Sequence, residues 1–428
     1  MRPFGPEAPW RLDPAITFLN HGSFGACPVP VLEYQRELID DLESRPIRFL
    51  WREFEDRLDA ARLDVARFLG ADPEGLVFLP NVTTGVSSVL RSLRLRPGDE
   101  LLTTDHEYNA ILNALDTAAE DARARVVVAH IPLPIRHPEE AVEALLAAVT
   151  PRTRLAVVSH VTSPTALVLP IDVIVRELDR LGVDTLVDGA HSAGMVPVDI
   201  AALGAAYWSG NGHKWLCGPK GVGVLHVRAD RCRAIRPLVT SHGRNDPRTD
   251  RPRLWIEFDW QGTGDPTPYL ALPEAIRVVG GLDPNGWPGV MAANRALTLE
   301  ARDRIQRALG LEPLAPDEMI GAMAAFELGG VGTDAAGDAL NAALYAEDAI
   351  EVPITGWPVP AARPAPDTDP TKVLLRISAQ RYNETADYER LAQALVRRGF
   401  GGTAAASSAL AGQAAGAVAR PVSAIVEG

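Results

Sequence analysis

Short apolar runs alternate with helical stretches along the chain between residues 76 and 227. Seven runs have the length and continuity of buried strands: 76–79, 100–104, 125–130, 154–160, 184–188, 205–210 and 222–227. Helical periodicity fills the gaps between the first five of them, at 83–95, 109–122, 138–149 and 171–181. Continuous apolar runs are typical of parallel strands covered on both faces, and the alternation implies right-handed crossovers. The pattern therefore predicts an α/β domain with a mostly parallel, seven-stranded sheet.

The order of elements changes after about residue 290. Helices and strands are predicted there at 291–309, 322–328, 334–346, 349–354, 372–378 and 384–398, and this order indicates a smaller α+β domain. The Pro-rich stretch 357–370 is typical of a loop. We predict four parts: an N-terminal segment lining the functional site (1–30), a large domain (31–285), a small domain (286–400) and an Ala/Gly/Ser-rich tail (401–428). Low complexity predicts little order in the tail, with a docked tail helix as the alternative.

Net charge and cysteine content exclude several classes of protein. The 428 residues include 42 Lys+Arg and 55 Asp+Glu, a formal net charge of −13, which argues against nucleic acid or an anionic membrane as a partner. No stretch approaches the roughly 20 apolar residues of a membrane span, and the first residues lack a signal peptide's apolar core. Cys27, Cys217 and Cys232 show neither a disulfide pattern nor metal-ligand spacing. We therefore expect a cytoplasmic protein without a metal.

Two residues that follow strands suggest a specific chemistry. Asp188 ends an apolar strand, and Lys214 follows the next strand in the segment Asn211-Gly212-His213-Lys214-Trp215. Taken singly, Asp188 also suits a turn or helix cap, and Lys214 also suits a surface lysine beside a tryptophan. Taken together, they meet the needs of an aldehyde cofactor, which requires a lysine nucleophile and an acid that keeps a pyridine nitrogen protonated.

Such a cofactor also carries a phosphate, and a helix N-terminus is the usual place to bind one. Thr83 and Thr84 open the helix after the first strand, where their hydroxyls and free backbone N–H groups suit a phosphate; the alternative is a plain helix cap. Because the phosphate is dianionic, we expect further donors from Asn211 and His213.

Aromatic and imidazole groups follow two other strands. Tyr108, in the segment Asp105-His106-Glu107-Tyr108-Asn109, could stack on a pyridine ring. His160 ends the strand 154–160 and is followed by Thr162, and either side chain could hydrogen-bond a ring hydroxyl. A structural role is the alternative for His160.

Longer motifs now identify a family. The segments DGAHSAG and GNGHKWLCGPKGVG resemble the signature of class V aminotransferases, which are fold type I pyridoxal-phosphate (PLP) enzymes. The resemblance extends from LNHGSFGACP (19–28) to LRISAQRYNETADYERLAQAL (375–395), nearly the whole chain except the tail. Within the family it is similar to isopenicillin N epimerase-type proteins, through LNHGSFG, TTDHEYNA, SHVTSPTALVLPI, GHKWLCGPKG and WQGTGDPTPYLALPEAI.

The resemblance implies a role for each matching residue. Lys214 would bind the cofactor covalently, Asp188 would pair with its pyridine nitrogen, and Tyr108 would stack on its ring, with His106 as the alternative. His191 would pack beside the cofactor. Its phosphate would contact Thr83, Thr84, Asn211 and His213, and also Gly262 and Thr263 of a second subunit, so a homodimer with shared sites is implied.

Substrate contacts are implied in the same way. Arg376 matches the residue that binds the substrate α-carboxylate, a geometry that suits a guanidinium. The mouth of the site would be lined by Asn20, His21 and Gly22. Arg48 is a weaker prediction, for a second anionic group.

The expected reaction begins at the Cα of an amino acid. The substrate amine would form an external aldimine, Lys214 would remove the α-proton, and Tyr108 or His106 could return a proton from the other face. Epimerisation, β-elimination from a cysteine conjugate and transamination remain open. A persulfide-forming desulfurase is not expected, because 357–370 contains no cysteine. Two other classes are disfavoured: a non-catalytic relative, because both Asp188 and Lys214 are present, and an NAD enzyme, because NVTTGV replaces GxGxxG.

Overall fold

A seven-stranded sheet forms the centre of the structure, a computed structural model that describes residues 9–362 and 369–401. Its strands are β2 (Leu76–Leu79), β3 (Glu100–Thr104), β4 (Arg125–Ala129), β5 (Thr153–Ser159), β6 (Asp184–Asp188), β7 (Tyr207–Asn211) and β8 (Gly223–Val227). Their order is β2-β8-β7-β6-β5-β3-β4. All run in one direction except β8, which is antiparallel to both neighbours. The predicted α/β fold with a mostly parallel sheet is confirmed.

Alternation along the strands explains why both faces of this sheet are covered. In β5, Ala156 and Val158 pack into one apolar cluster, whereas Leu155 and Val157 pack into a second cluster on the other face. Successive side chains of a strand point to opposite faces, so a continuously apolar strand requires helices on both. The two layers of helices thus follow directly from the apolar runs.

Within the described residues, fourteen α-helices and one π-helical turn surround this sheet and the smaller one. The first half of the chain contains α1 (His21–Phe24), α2 (Val29–Ser44), a π-helical turn (Arg48–Glu53), α3 (Phe54–Leu69), α4 (Val82–Ser92), α5 (Asn109–Ala122), α6 (Glu139–Ala147), α7 (Ile171–Arg180) and α8 (Ile200–Leu203). The second half contains α9 (Arg253–Phe258), α10 (Thr267–Leu270), α11 (Leu272–Gly280), α12 (Gly286–Leu309), α13 (Asp334–Asp348) and α14 (Thr385–Arg397). No helix among the described residues is both long and apolar enough to cross a membrane.

The C-terminal part of the chain builds a second core on a smaller sheet. Strands β9 (Met323–Glu327), β11 (Ile354–Trp357) and β12 (Lys372–Ser378) pair antiparallel in the order β11-β12-β9. Helices α12 and α14 pack together over this sheet. The N-terminal strand β1 (Thr17–Phe18) pairs with β10 (Ile350–Glu351), which joins the N-terminal segment to this part. The four-part division of the chain remains a prediction, and most of its tail (402–428) lies outside the described residues.

Candidate active site

The carboxyl ends of β6 and β7 bring two predicted residues together. Asp188 is the last residue of β6 and is buried, while β7 ends at Asn211, so that Lys214 follows one turn later. Lys214 Nζ lies 3.0 Å from Nε2 of His191, which comes just after Asp188 in the chain. Parallel strands place their carboxyl ends along one sheet edge. The tertiary structure therefore places the three side chains in one cluster.

The N-terminal segment closes against the backbone of the lysine. Gly25 has φ +69°, and a Cβ at this position would lie only 2.4 Å from the His213 carbonyl oxygen and 2.7 Å from that of Lys214. Only glycine permits this approach without strain. Close packing of the two segments keeps the lysine turn in place.

Burial changes the acidity of the Lys214 ammonium. Desolvation, reinforced by the positive charge of Arg376, lowers the pKa of Lys214 to about 7, against the opposing attraction of Asp188. A neutral amine is the nucleophilic form and also the form that accepts a proton. At neutral pH a large fraction of Lys214 is therefore available for either role.

A second carboxyl group, Glu107, lies beside Asp188 and was not predicted. Its side chain is fully buried, and Oε1 accepts hydrogen bonds from Ser159 Oγ at 2.6 Å and from the Tyr108 backbone N–H at 2.8 Å. Burial and the charge of Asp188 raise the pKa of Glu107 to about 8. Burial also raises the pKa of Asp188 to about 6, although the Ala190 N–H and Lys214 oppose that rise. Because Lys214 favours the charged form of Asp188, Glu107 is the carboxyl that stays protonated.

Asp188 has room for a cationic partner. Within the described part of the chain the only hydrogen-bond donor to its carboxylate is the Ala190 backbone N–H, at 2.8 Å. A buried carboxylate is costly unless it is paired with a charge. The environment of Asp188 therefore fits a protonated ring nitrogen.

The N-terminus of α4 lies next to the end of β7. Asn81 caps the helix by accepting hydrogen bonds from the Thr84 backbone N–H (2.9 Å) and the Thr84 hydroxyl (3.1 Å). Asn211 Oδ1 accepts from the Val82 N–H at 3.0 Å, so it joins β7 to the helix. In the described residues the Thr83 hydroxyl makes no hydrogen bond, so it is freer than that of Thr84 to bind an anion.

His213 is partly buried beside this helix terminus. Its Nδ1 pairs with the Val222 carbonyl at 3.0 Å, which leaves Nε2 for another partner. Burial, opposed by this hydrogen bond, lowers the pKa of His213 to about 4. A nearby dianion would reverse that shift, because an opposite charge favours the protonated ring. Free hydroxyl, helix N-terminus and imidazole together fit a phosphate group.

The two residues predicted for the ring face differ in accessibility. Tyr108 is 48% exposed at the start of α5. His106 is fully buried, and its ring nitrogens pair with the Thr165 hydroxyl (2.8 Å) and the Ile131 carbonyl (3.0 Å). The His106 ring also packs against Trp357, with 4.8 Å between centroids. Of the two, only Tyr108 is free to contact a ligand.

The structure does not bring His160 to this cluster. Ser159, its neighbour, faces Glu107, so the alternation along β5 directs His160 away from it. His160 instead lines a separate pocket with Asp172, Val196 and Leu203. Thr162 is also engaged elsewhere, by the Thr165 hydroxyl at 2.7 Å.

Arg376, on β12, is a buried guanidinium near Lys214. Nη1 donates to the Ser163 carbonyl (2.6 Å) and hydroxyl (3.2 Å), and Nη2 donates to the Ser23 hydroxyl at 3.1 Å. Among the described residues Nε has no partner, and no carboxylate pairs with the group. Burial accordingly lowers the pKa of Arg376 to about 10. A buried cation without a counter-ion fits an anionic ligand.

The predicted mouth residues have structural bonds of their own. Nδ2 of Asn20 donates to Glu351, and the Gly22 N–H donates to Ser378 Oγ. His21 is fully buried, with Nδ1 at 2.8 Å from the Tyr382 hydroxyl and Nε2 at 3.1 Å from the Lys214 carbonyl. Desolvation lowers the pKa of His21 to about 3. Its contact to the Lys214 carbonyl supports the backbone of the lysine segment. Of these three residues only Gly22 approaches Arg376: a Cβ added to Gly22 would lie 3.4 Å from Nη2 of Arg376.

Three predicted residues lie on the surface of this chain. Arg48 is exposed on the π-helical turn and pairs with Glu53. Gly262 and Thr263 form part of an exposed loop before α10, and a Cβ at Gly262 would meet no atom within 4 Å. This exposure is compatible with a contact to a second subunit.

Sequence reasoning missed several residues that the fold adds to the site. They are Glu107 beside Asp188, Trp215 beside His191, and the serines Ser23 and Ser163 on Arg376. A signal existed for Glu107, because it is a carboxylate shortly after a strand, as Asp188 is. The two serines carried no signal, since their segments are remote from Arg376 in sequence.

The fold and the Asp188–Lys214 arrangement define an enzyme of the fold type I class that uses pyridoxal phosphate. Residues 28–391 match the family model described as Aminotransferase class-V. The chain belongs to this family and is a PLP-dependent enzyme.

Three named proteins and one solved structure are similar to this chain over most of its length. An isopenicillin N epimerase of Amycolatopsis lactamdurans is 39% identical over 398 residues, covering 90% of this chain and 95% of that protein. A second, from Streptomyces clavuligerus, is 34% identical with the same coverage. A putative L-cysteine desulfhydrase 2 of Oryza sativa subsp. japonica is 30% identical, covering 90% and 85%. The cysteine desulfurase CsdA of Escherichia coli has a TM-score of 0.73 at 23% identity, covering 92% and 98%, and shares the fold.

Proposed function

We propose that this chain is an epimerase-type enzyme that uses pyridoxal phosphate and acts at the Cα of an amino acid. The observation that carries the proposal is the buried guanidinium of Arg376, which has no carboxylate partner among the described residues and lies near Lys214. The α-carboxylate of a substrate would pair with this guanidinium, and the amino group of the same substrate would then reach Lys214. Similarity to two isopenicillin N epimerases supports the reaction type.

When bound, pyridoxal phosphate supplies an aldehyde for an amine and a pyridinium ring that takes up the electrons left at Cα. Lys214 would be the amine that binds it and the base that removes the Cα proton, since burial keeps much of that amine neutral. Asp188 would hold the proton on the ring nitrogen, and His191 would pack beside the ring. Thr83, with support from Thr84 and Asn211, and His213 would hold the phosphate.

Epimerisation also needs a proton donor on the face opposite Lys214. Tyr108 has the accessibility for this role, whereas both ring nitrogens of His106 are already bonded. Tyr108 would therefore stack on the ring or return the proton, and His160 would take no part.

A homodimer is the proposed assembly. The exposed loop with Gly262 and Thr263 would complete the phosphate site of a second copy, and a closed two-fold dimer shares sites reciprocally. The proposed substrate is a small molecule, an amino acid. Cytoplasmic location remains a prediction.

A C–S lyase is the second candidate function. It is supported by the similarity to putative L-cysteine desulfhydrase 2, and it requires only a leaving group at Cβ instead of a second proton donor. Persulfide chemistry is disfavoured, because Cys217 is buried and burial holds the pKa of its thiol well above the ordinary value.

Incubation of the holoenzyme with L-amino acids and cysteine conjugates in D₂O would separate these reactions. Deuterium at Cα with inversion supports epimerisation, whereas pyruvate and ammonia, released with sulfide from cysteine or with a thiol from a conjugate, support the lyase. Keto-acid formation without either would indicate transamination and contradict both. Lys214→Ala is the control, because it removes the amine that would bind the aldehyde and should give none of these products.

A further inference from the structure

Trp215 and His191 form a hydrogen-bonded chain that ends at the lysine. The indole Nε1–H of Trp215 donates to Nδ1 of His191 at 3.3 Å, and Nε2 of His191 lies 3.0 Å from Lys214 Nζ. Trp215 and His191 are at most 1% exposed. Water therefore does not compete for the two imidazole nitrogens.

The indole decides which imidazole nitrogen carries the hydrogen. An indole N–H can only donate, so Nδ1 of His191 must offer its lone pair. His191 is neutral, because burial, reinforced by the positive charge of Arg376, holds its pKa far below the ordinary value. The single ring hydrogen therefore lies on Nε2, the nitrogen that faces Lys214.

A hydrogen on Nε2 constrains the lysine in turn. An ammonium has three donors and no acceptor, so it would oppose this hydrogen, whereas a neutral amine accepts it. A charged lysine could pair with Nε2 only if the hydrogen moved to Nδ1, where it would face the indole N–H. One of the two contacts is therefore lost whenever Lys214 is charged.

We propose that Trp215 is a positioning residue, which sets the tautomer of His191 and thereby holds Lys214 as a free amine whenever that amine is not bound. The inference rests on the proposed role of Lys214 as the cofactor-binding amine. It gives the lysine a local cause for its neutrality that is independent of overall burial.

Other charged and titratable groups act on Lys214 as well. Arg376 on β12 disfavours the ammonium, whereas Asp188 at the end of β6 favours it. His21 on α1 and His213 on the lysine turn act on the His191 ring and are themselves held neutral by burial. Trp215→Phe keeps an aromatic ring beside His21, whose ring centroid lies 4.9 Å from that of Trp215, so a change in lysine acidity would report on the lost indole N–H.

The chain suits a direct measurement, because it contains only three lysines, Lys214, Lys220 and Lys372. The full-length protein, stripped of cofactor, would be acylated with acetic anhydride across a pH series, and each lysine quantified by peptide mass spectrometry. In Trp215→Phe the apparent pKa of Lys214 should rise from about 7 by about one unit, which lowers the fraction of reactive amine at pH 7 by roughly fivefold. Lys220 and Lys372 should keep their profiles.

Trp208→Phe is the matched control. Trp208 is equally buried, but its Nε1–H has no hydrogen-bond partner in the described residues, so this variant should leave the Lys214 profile unchanged. An unchanged profile in Trp215→Phe, or an equal shift in Trp208→Phe, overturns the inference.

A second test uses only the wild-type protein: nitrogen NMR after isotopic labelling of its histidines. The cofactor-free chain should show His191 with hydrogen on Nε2, and a hydrogen on Nδ1 would overturn the inference. Mapping the borohydride-reduced cofactor adduct separates this failure from that of the function. An adduct on Lys214 with no effect of Trp215→Phe on the Lys214 profile refutes only the positioning role of Trp215, whereas an adduct on another lysine refutes the proposed function.

Discussion

Arg376→Met separates a substrate contact from a structural role. Methionine keeps the unbranched, apolar part of the side chain but has no charge, so it removes the guanidinium and its contacts to Ser163 and Ser23. A charge-assisted hydrogen bond contributes about 1.5–3 kcal/mol. Its loss in the transition-state complex should lower kcat/KM by about tenfold to more than a hundredfold. Arg376→Lys should recover only part of this, because an ammonium cannot reproduce the two-pronged contact.

The same change should not destabilise the fold. Arg376 is a buried cation without a carboxylate partner among the described residues, and replacing buried charge by apolar side chains is often neutral or stabilising. Arg62→Met is the control. Arg62 is also buried, but its Nη2 pairs with Asp259 at 2.7 Å. Its loss leaves the buried Asp259 with the longer contact to Arg251, at 3.3 Å, and should therefore be destabilising.

Thermal unfolding and steady-state kinetics of the two variants would decide the matter. Arg376→Met should melt at or above the wild-type temperature with reduced kcat/KM, and Arg62→Met should melt several degrees lower. Unchanged kcat/KM in Arg376→Met, or a fall in its melting temperature as large as that of Arg62→Met, would refute the reasoning.

Four further predictions concern the cofactor site and the assembly. Lys214→Ala should abolish turnover and the borohydride-trapped adduct while circular dichroism stays unchanged; an adduct peptide containing Lys220 would assign the attachment elsewhere. Asp188→Asn should retain cofactor, measured by absorbance, but lose about a hundredfold or more in kcat, and near-normal turnover would argue against its role. Folding raises the pKa of Glu107 from about 4.5 to about 8, so the folded state binds more protons and the free energy of unfolding of the cofactor-free chain should fall as pH rises through that window. In urea titrations Glu107→Gln should flatten this pH dependence, and an unaltered slope would contradict the prediction. Sedimentation should find a dimer at assay concentration, and a fully active monomer would exclude the shared contact at Thr263.

The short-range pattern of apolar residues was sufficient to predict most of the fold. The continuous apolar runs predicted the strands of the central sheet to within a few residues, because burial on both faces leaves no polar positions in a strand. Sequence also predicted that Asp188 and Lys214 lie close together, since polar residues at the ends of parallel strands meet at one sheet edge. The helices between residues 253 and 280 were not predicted, and neither was the antiparallel direction of β8.

Tertiary structure decided which side chains share the site. The one-residue alternation along β5 directs Ser159 toward Glu107 and His160 to a different pocket, and pattern alone does not reveal which face lies toward the ligand. Burial of Glu107 against Asp188, the lack of a carboxylate on Arg376 and the bond from Trp215 to His191 all join segments far apart in the chain. Such contacts depend on distances set by packing of the whole fold, so no local sequence pattern contains them.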